Sequence, residues 1–427
     1  MTIFSFQKLR FAPIFMLVTA LGLSSVLPIF WFAPSAYAAD DKDQVKAETV
    51  RPEVGIPLQA AQTLIKEEKY KEALTKIAET NAVANKTAYE IYSIDRMRGA
   101  TAARAGDANL AGASFEAVIA SGRLAPAEQA KIVQALGGLY YSAKNYPKAI
   151  EWLSRSLKEN GDDPQTRTLL IRSYYLSNDI PRATSELQKD IAADESAGRT
   201  PTEINLKLLA NCAQKLNDQA AYVISLEKLN TYYPKKEYWT DLLSRVQSKP
   251  GFADRLLLDL YRLKAATVQL QTDTEFTDMA QLALLAGFPA EAKKIMDQGF
   301  QLGALGSGPD AAKQKRLRDQ ANKAAADDQK TMAQSEASVS SAKEGTGQIN
   351  LGYALVTAGQ FDKGLTLMED GLKKGNVKHG DDAKLHLGIA YQLADKKDKA
   401  IEAFKTVQGT DGAADLAHLW IVKMRSP

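Results

Sequence analysis

A small residue four positions ahead of a large apolar one recurs along this chain at intervals of about one helical hairpin or a small multiple of it. The pairs are Ala73/Ile77, Ala111/Phe115, Ala149/Leu153, Ala183/Leu187, Ala292/Met296, Gly364/Met368 and Ala400/Phe404. Tyr70, Tyr146 and Phe361 each stand three residues before the small one. A single compact core has no reason to repeat at that interval. A stack of helical hairpins does, because each hairpin can bury its apolar face only against its neighbours. The small residue lets two helices cross closely, and the large one a turn later fills the adjoining gap. With 427 residues the chain is also too long for one core.

The fullest copies read in one register. Residues 130–163 hold Leu136-Gly137, Tyr140, Tyr146, Ala149 and Leu153; residues 164–197 hold Leu170, Tyr174, Ala183 and Leu187; Leu387-Gly388, Tyr391, Ala400 and Phe404 repeat it near the C-terminus. These residues resemble the tetratricopeptide (TPR) pattern, with Leu-Gly and Tyr on the first helix of a hairpin and Ala then Phe on the second. The resemblance covers nearly all of the chain after residue 55 and implies an all-α fold, an α-solenoid of tandem TPR helical hairpins. Residues 55–307 would hold about seven repeats, and 346–425 a C-terminal pair, about nine in all. Residues 203–235 form a weaker copy (Leu209, Tyr222, Leu226, Leu229). Residues 236–268 form a degenerate one, with Arg255 in the small-residue column and Asp259 in the large one.

Between the blocks, residues 308–345 are rich in Ala, Lys, Asp, Gln and Ser and form a polar helical spacer. Pro309 opens it and Gly345 and Gly347 stop it. One helix would be about 50 Å long; a hairpin that keeps the array in phase is the other arrangement.

The N-terminus sets an expectation about compartment. Lys8 and Arg10 precede an apolar, acid-free run from Phe11 to Phe32, and Ala36-Tyr37-Ala38 offers a small-x-small cleavage site. Residues 1–38 thus have the layout of a signal peptide, cleaved near Ala38, followed by a flexible mature N-terminus over 39–54. Export to the periplasm follows, with no membrane span after cleavage; an uncleaved N-terminal anchor is the alternative. Without Lys8 and Arg10, the 54 basic residues become 52 against 51 acidic ones. That balance argues against nucleic acid as the main ligand, since phosphate binding needs a concentrated basic face. Cys212 is alone and reads as a small buried apolar residue.

No catalytic or cofactor-binding constellation emerges, and the chain reads as a non-enzyme with no cofactor and no metal. His379, His386 and His418 lack ligand spacing and read as surface or capping residues. Gly303-Ala304-Leu305-Gly306-Ser307-Gly308 lacks the Lys-Ser/Thr of a phosphate loop and reads as a turn. The pairs Asp162-Asp163, Asp327-Asp328 and Asp381-Asp382 are isolated, the first and last at helix starts.

In the TPR pattern the concave groove is lined by positions 2, 5, 9 and 12 of each first helix. The resemblance places there Arg96; Lys131, Gln134 and Tyr141; Thr168, Arg172 and Tyr175; and Lys207, Asn211 and Gln214. Amides, tyrosines and four basic groups, with no acid among them, suit an extended peptide, an acidic segment or a chain carboxylate. Lys207 and Asn211 are similar to half of the TPR carboxylate clamp, but Thr240 and Asp241 stand where the rest would fall. The stretches from Tyr233-Pro234 to Trp239 and from Ala286-Gly287 to Ala292 resemble exported bacterial TPR proteins associated with TonB-type transport. Together these features imply a periplasmic scaffold holding a protein partner in a cell-envelope complex. The alternative is a glycan- or peptidoglycan-binding module of an envelope assembly or export system.

Overall fold

The computed structural model describes residues 48–426; the expected signal peptide, its cleavage site and most of the 39–54 segment lie outside them. Twenty α-helices and no strand occur among the described residues, arranged as the tandem helical hairpins of an all-α repeat fold. The chain divides into two compact units, Met1–Asp190 and Ile191–Pro427. In the first unit the hairpins are α1 (Pro52–Lys66) with α2 (Tyr70–Glu79), α3 (Ala88–Ala105) with α4 (Ala108–Ala120), and α5 (Pro126–Ser142) with α6 (Tyr146–Asn160). There α7 (Pro164–Leu176) precedes α8 (Ile180–Ser196), which carries the division.

The second unit contains α9 (Glu203–Lys215) with α10 (Gln219–Tyr232), α11 (Lys236–Gln247) with α12 (Leu257–Thr267), and α13 (Asp273–Leu285) with α14 (Pro289–Gln301). The long α15 (Ala311–Ser341) follows. After it come α16 (Thr346–Thr357) with α17 (Phe361–Lys374), α18 (Gly380–Leu393) with α19 (Lys397–Lys405), and α20 (Ala413–Arg425).

Local chemistry ends and restarts the helices. Five residues before each small residue the backbone is left-handed: Glu68, Gly106, Lys144, Asn178, Gly287, Gly359 and Asp395, with Asn217 in the weaker copy. One such residue reverses the chain, and the next begins the second helix; Asp107, Asn145 and Asp218 there accept a backbone N–H. The close crossings are real. A Cβ on Gly137 would lie 2.5 Å from Leu153, and one on Gly388 would run into the Phe404 ring.

Neighbouring hairpins are also stapled by one recurring polar unit. Glu116, just after the large residue of its repeat, accepts from Tyr140 Oη at 2.6 Å, Lys148 Nζ at 2.8 Å and Trp152 Nε1 at 3.1 Å in the next repeat. Burial pushes its carboxyl up, yet these donors hold it below the usual range. Glu369 repeats the unit with Tyr391 Oη at 2.5 Å and Lys399 Nζ at 4.0 Å.

Two segments depart from the regular hairpin. Residues 236–268 form a hairpin, but with no left-handed residue in the usual place; Pro250 stands there, Gly251 is left-handed, and a 3-10 turn (Asp254–Leu256) leads into α12. Of the two arrangements open to the 308–345 segment, it takes the single helix, along Ala311–Ser341, and most of that helix is exposed. It packs on α14 and α16, burying Gln314, Ala321 and Met332, with Arg318 2.7 Å from Asp297 and over the Phe300 ring.

Candidate functional site

The expected groove residues of the first unit all fall on first helices, and α5 touches α7 directly. Arg96 sits on α3, with Nη2 2.5 Å from Glu128 Oε1 at the start of α5. On α5, Lys131 is exposed, and Gln134 Nε2 donates to Asp163 and Thr166 of the next hairpin, both at 3.4 Å. Tyr141 is half-buried, edge-on to Tyr146 at 6.0 Å. Burial raises its hydroxyl pKa and the neighbouring Arg172 of α7 opposes the rise. Thr168 Oγ1 donates to its own helix at Pro164 O, 2.9 Å away. Arg172 and Tyr175 are half-buried on α7. Cross-bracing therefore runs from α3 to α5 and from α5 to α7.

In the second unit Lys207, Asn211 and Gln214 lie partly exposed on α9. Lys207 Nζ is 2.9 Å from Glu203 and 5.8 Å from the Tyr238 ring centroid. Glu203 also takes Lys235 at 2.6 Å and Tyr238 Oη at 2.5 Å. Against the lift from burial, these bonds hold its carboxyl down to about 2. Glu128 of the next hairpin and Glu203 one turn earlier on the same helix thus stand beside Arg96 and Lys207, so the face is less positive than those positions alone suggest. Of the missing clamp positions, Asp241 is engaged by Tyr222 Oη at 2.6 Å and Arg245 at 2.8 Å.

A second constellation, which sequence reasoning missed, lies inside the Ile191–Pro427 unit. Asp259 and Arg262 of α12 are both buried, 2.7 Å apart. Arg262 also meets Glu291 of α14 at 2.6 Å, and its guanidinium lies over the rings of Phe288 and Tyr353, 5.1 and 4.6 Å from their centroids. His386 Nε2 of α18 is 3.0 Å from Asp259 Oδ1, and its ring packs on Tyr353 at 5.1 Å. Burial lifts the Asp259 carboxyl, but His386 and Arg262 hold it at about 2. Of the three histidines, His379 is exposed at the start of α18, and His418 is exposed but paired with Glu227 at 3.1 Å. His386 is instead an interior partner. The available signal was Asp259: an acid in an apolar column needs a buried cation, and Arg262 lies three residues on.

No family model matches the chain, and no curated protein does. Solved structures that it resembles include the TPR2AB domain of yeast Sti1 in complex with pHSP90, at 13% identity over 70% of this chain and 98% of that one, TM-score 0.23. The TPR domain of P58(IPK) is similar at 13% identity over 86% and 98%, TM-score 0.23. Yeast Tom70 is similar at 11% over 87% and 95%, TM-score 0.22. At these identities the likeness concerns the helical-repeat fold and not what the repeats hold.

Proposed function

We propose that the protein is a non-enzymatic scaffold that holds an extended polypeptide on the first-helix face of its N-terminal unit. The observation that carries this is the cross-braced row on α3, α5 and α7. Arg96, Gln134 and Tyr141 are held by bonds between successive hairpins, leaving polar and aromatic groups partly exposed on rigid helices. A preorganised face of this kind spares a partner part of the ordering cost of binding. The exposed Lys131 and the Arg172–Tyr141 pair favour a partner with carboxylates. The exported setting, a periplasmic cell-envelope complex with a TonB-type system as one candidate, belongs to the same proposal. It is supported by the leader-like segment 1–38 and by the sequence resemblance.

The test is crosslinking in intact cells, followed by mass spectrometry of complexes captured through a C-terminal tag. The proposal expects envelope proteins, with recovery falling at least tenfold for Lys131→Glu/Arg172→Glu at unchanged helicity. Full recovery from that variant rejects this face. Glycan fragments in place of proteins would instead support the polymer-binding alternative.

A further inference from the structure

The same sequence offsets that locate the groove face in the first unit locate it in the last two hairpins. Gln134 precedes Ala149 by the same interval as Thr168 precedes Ala183, and Arg172 stands one helical turn after Thr168. Applied to Gly364 and Ala400, those two offsets give Ile349 and Tyr353 on α16, and Leu385 and Ile389 on α18. All four are at most 2% exposed. Positions that are open and polar in the first unit are here apolar and buried, Ile349 against Gly371 of its own hairpin.

Tyr353 is covered by Arg262, from the chain's own segment 249–262, and by Phe288 of α14. Arg262 lies on the Tyr353 ring, and Asp259 meets His386 beside it. Around this centre the contact is electrostatic with consistent polarity. Lys249 Nζ is 2.8 Å from Asp415, and Arg255 takes Asp382 at 2.7 Å and Asp411 as well. The Ala253 N–H donates to Asp411 O at 2.9 Å, and Phe252 fills the space above Gly412, whose left-handed backbone has no Cβ to block it. At this rim the basic groups come from the covering segment and the acids from the C-terminal part; at the centre Asp259 and His386 reverse that polarity.

The rim of the closure is less secure than its centre, where Leu256, Leu258, Asp259 and Arg262 are at most 6% exposed. Lys249 and Arg255 are 51% and 36% exposed, so their ion pairs are screened and individually weak. Tyr353 Oη is buried with no hydrogen-bond partner, as is Asn230 Oδ1 where Ser426 docks on α10.

We infer that the last two hairpins form a second binding face, for a basic amphipathic segment, which the chain's own residues 249–262 occupy as an autoinhibitory ligand. This stands independently of the N-terminal face. A competing partner would carry lysine or arginine at a spacing like that of Lys249 and Arg255, which meet Asp415, Asp382 and Asp411, and would displace the segment by mass action.

The full-length protein is tested with a fluorescent synthetic peptide of its own residues 247–265. Lys249→Glu/Arg255→Glu should bind this peptide at least tenfold more tightly than the unaltered chain does. Amide exchange in α18 and α20 should speed up by a similar factor, while α3 to α6 stay unchanged. Lys249→Ala/Arg255→Ala should do the same more weakly, and adding Asp415→Lys to Lys249→Glu should slow exchange again. Unchanged peptide binding and exchange in both double variants would overturn the inference. So would loss of helicity in the alanine variant, which would make the contact part of an indivisible core. Neither result bears on partner capture by Lys131 and Arg172.

Discussion

The first-helix face of α5 and α7 and the same face of α16 and α18 occupy equivalent positions in the repeat and have opposite fates. In the first, Lys131, Gln134, Thr168 and Arg172 remain at least partly exposed; in the second, Ile349, Tyr353, Leu385 and Ile389 are buried. The repeat register determines which residues occupy equivalent positions on each first helix. It does not determine whether those positions meet solvent, a partner or another part of the chain.

Losing the buried cation should hurt most, and only in the covered region. Arg262→Leu leaves Glu291 without its cation and Asp259 with His386 alone, and should cost about 3–5 kcal/mol. Hydrogen exchange should show this loss across α12, α16 and α18, with α3 to α6 unaffected. Next come the helix crossings. A Cβ on Gly352 would meet the backbone carbonyl of Gly364 at 2.6 Å, whereas one on Gly137 meets the side chain of Leu153. Backbone cannot rotate aside, so Gly352→Ala should lose about 1–3 kcal/mol and Gly137→Ala less, read from urea midpoints.

Acid should act on the second unit at a smaller scale. The carboxyls of Asp259 and Glu203 are held at about 2, below their ordinary values near 4, so the unfolded chain binds more protons in between. Their stabilisation is full above the ordinary value and is lost as pH falls toward 2. Comparing urea midpoints at pH 6 and pH 3, Glu203→Gln should reduce the pH-dependent loss by about 1 kcal/mol, the partial exposure of the pair limiting it. A weaker perturbation probes what the two regions share. Tyr140→Phe and Tyr391→Phe each remove one bond to the acid of the preceding repeat, and each should cost about 0.5–1.5 kcal/mol. A double-mutant cycle of Tyr140 with Glu116 measures the coupling directly.

Much of the fold was legible because its determinants are local. The small/large pairs, the Leu-Gly steps and the turn residues five positions upstream act between helices adjacent in sequence, so their spacing survives as a pattern. The polar staple was legible too, had the acid after Phe115 and Met368 been set against Tyr140 and Tyr391 one repeat later. Residues 236–268 were harder. Their broken register read as decay, whereas Arg255 and Asp259 departed from the pattern because each has a partner 127 residues away.

The helical hairpins, their order and the equivalent positions on each first helix follow from the amino-acid order alone. The 3.6-residue periodicity and the steric fit at close crossings are near-neighbour effects. Three other outcomes do not follow from it: the packing of the polar 311–341 helix into the second unit, the pairing of Arg96 with Glu128, and the interior place of His386 against Asp259. Those depend on which distant surfaces meet. Burial and charge pairing between them are set by the accumulated placement of many hairpins, which no local spacing records.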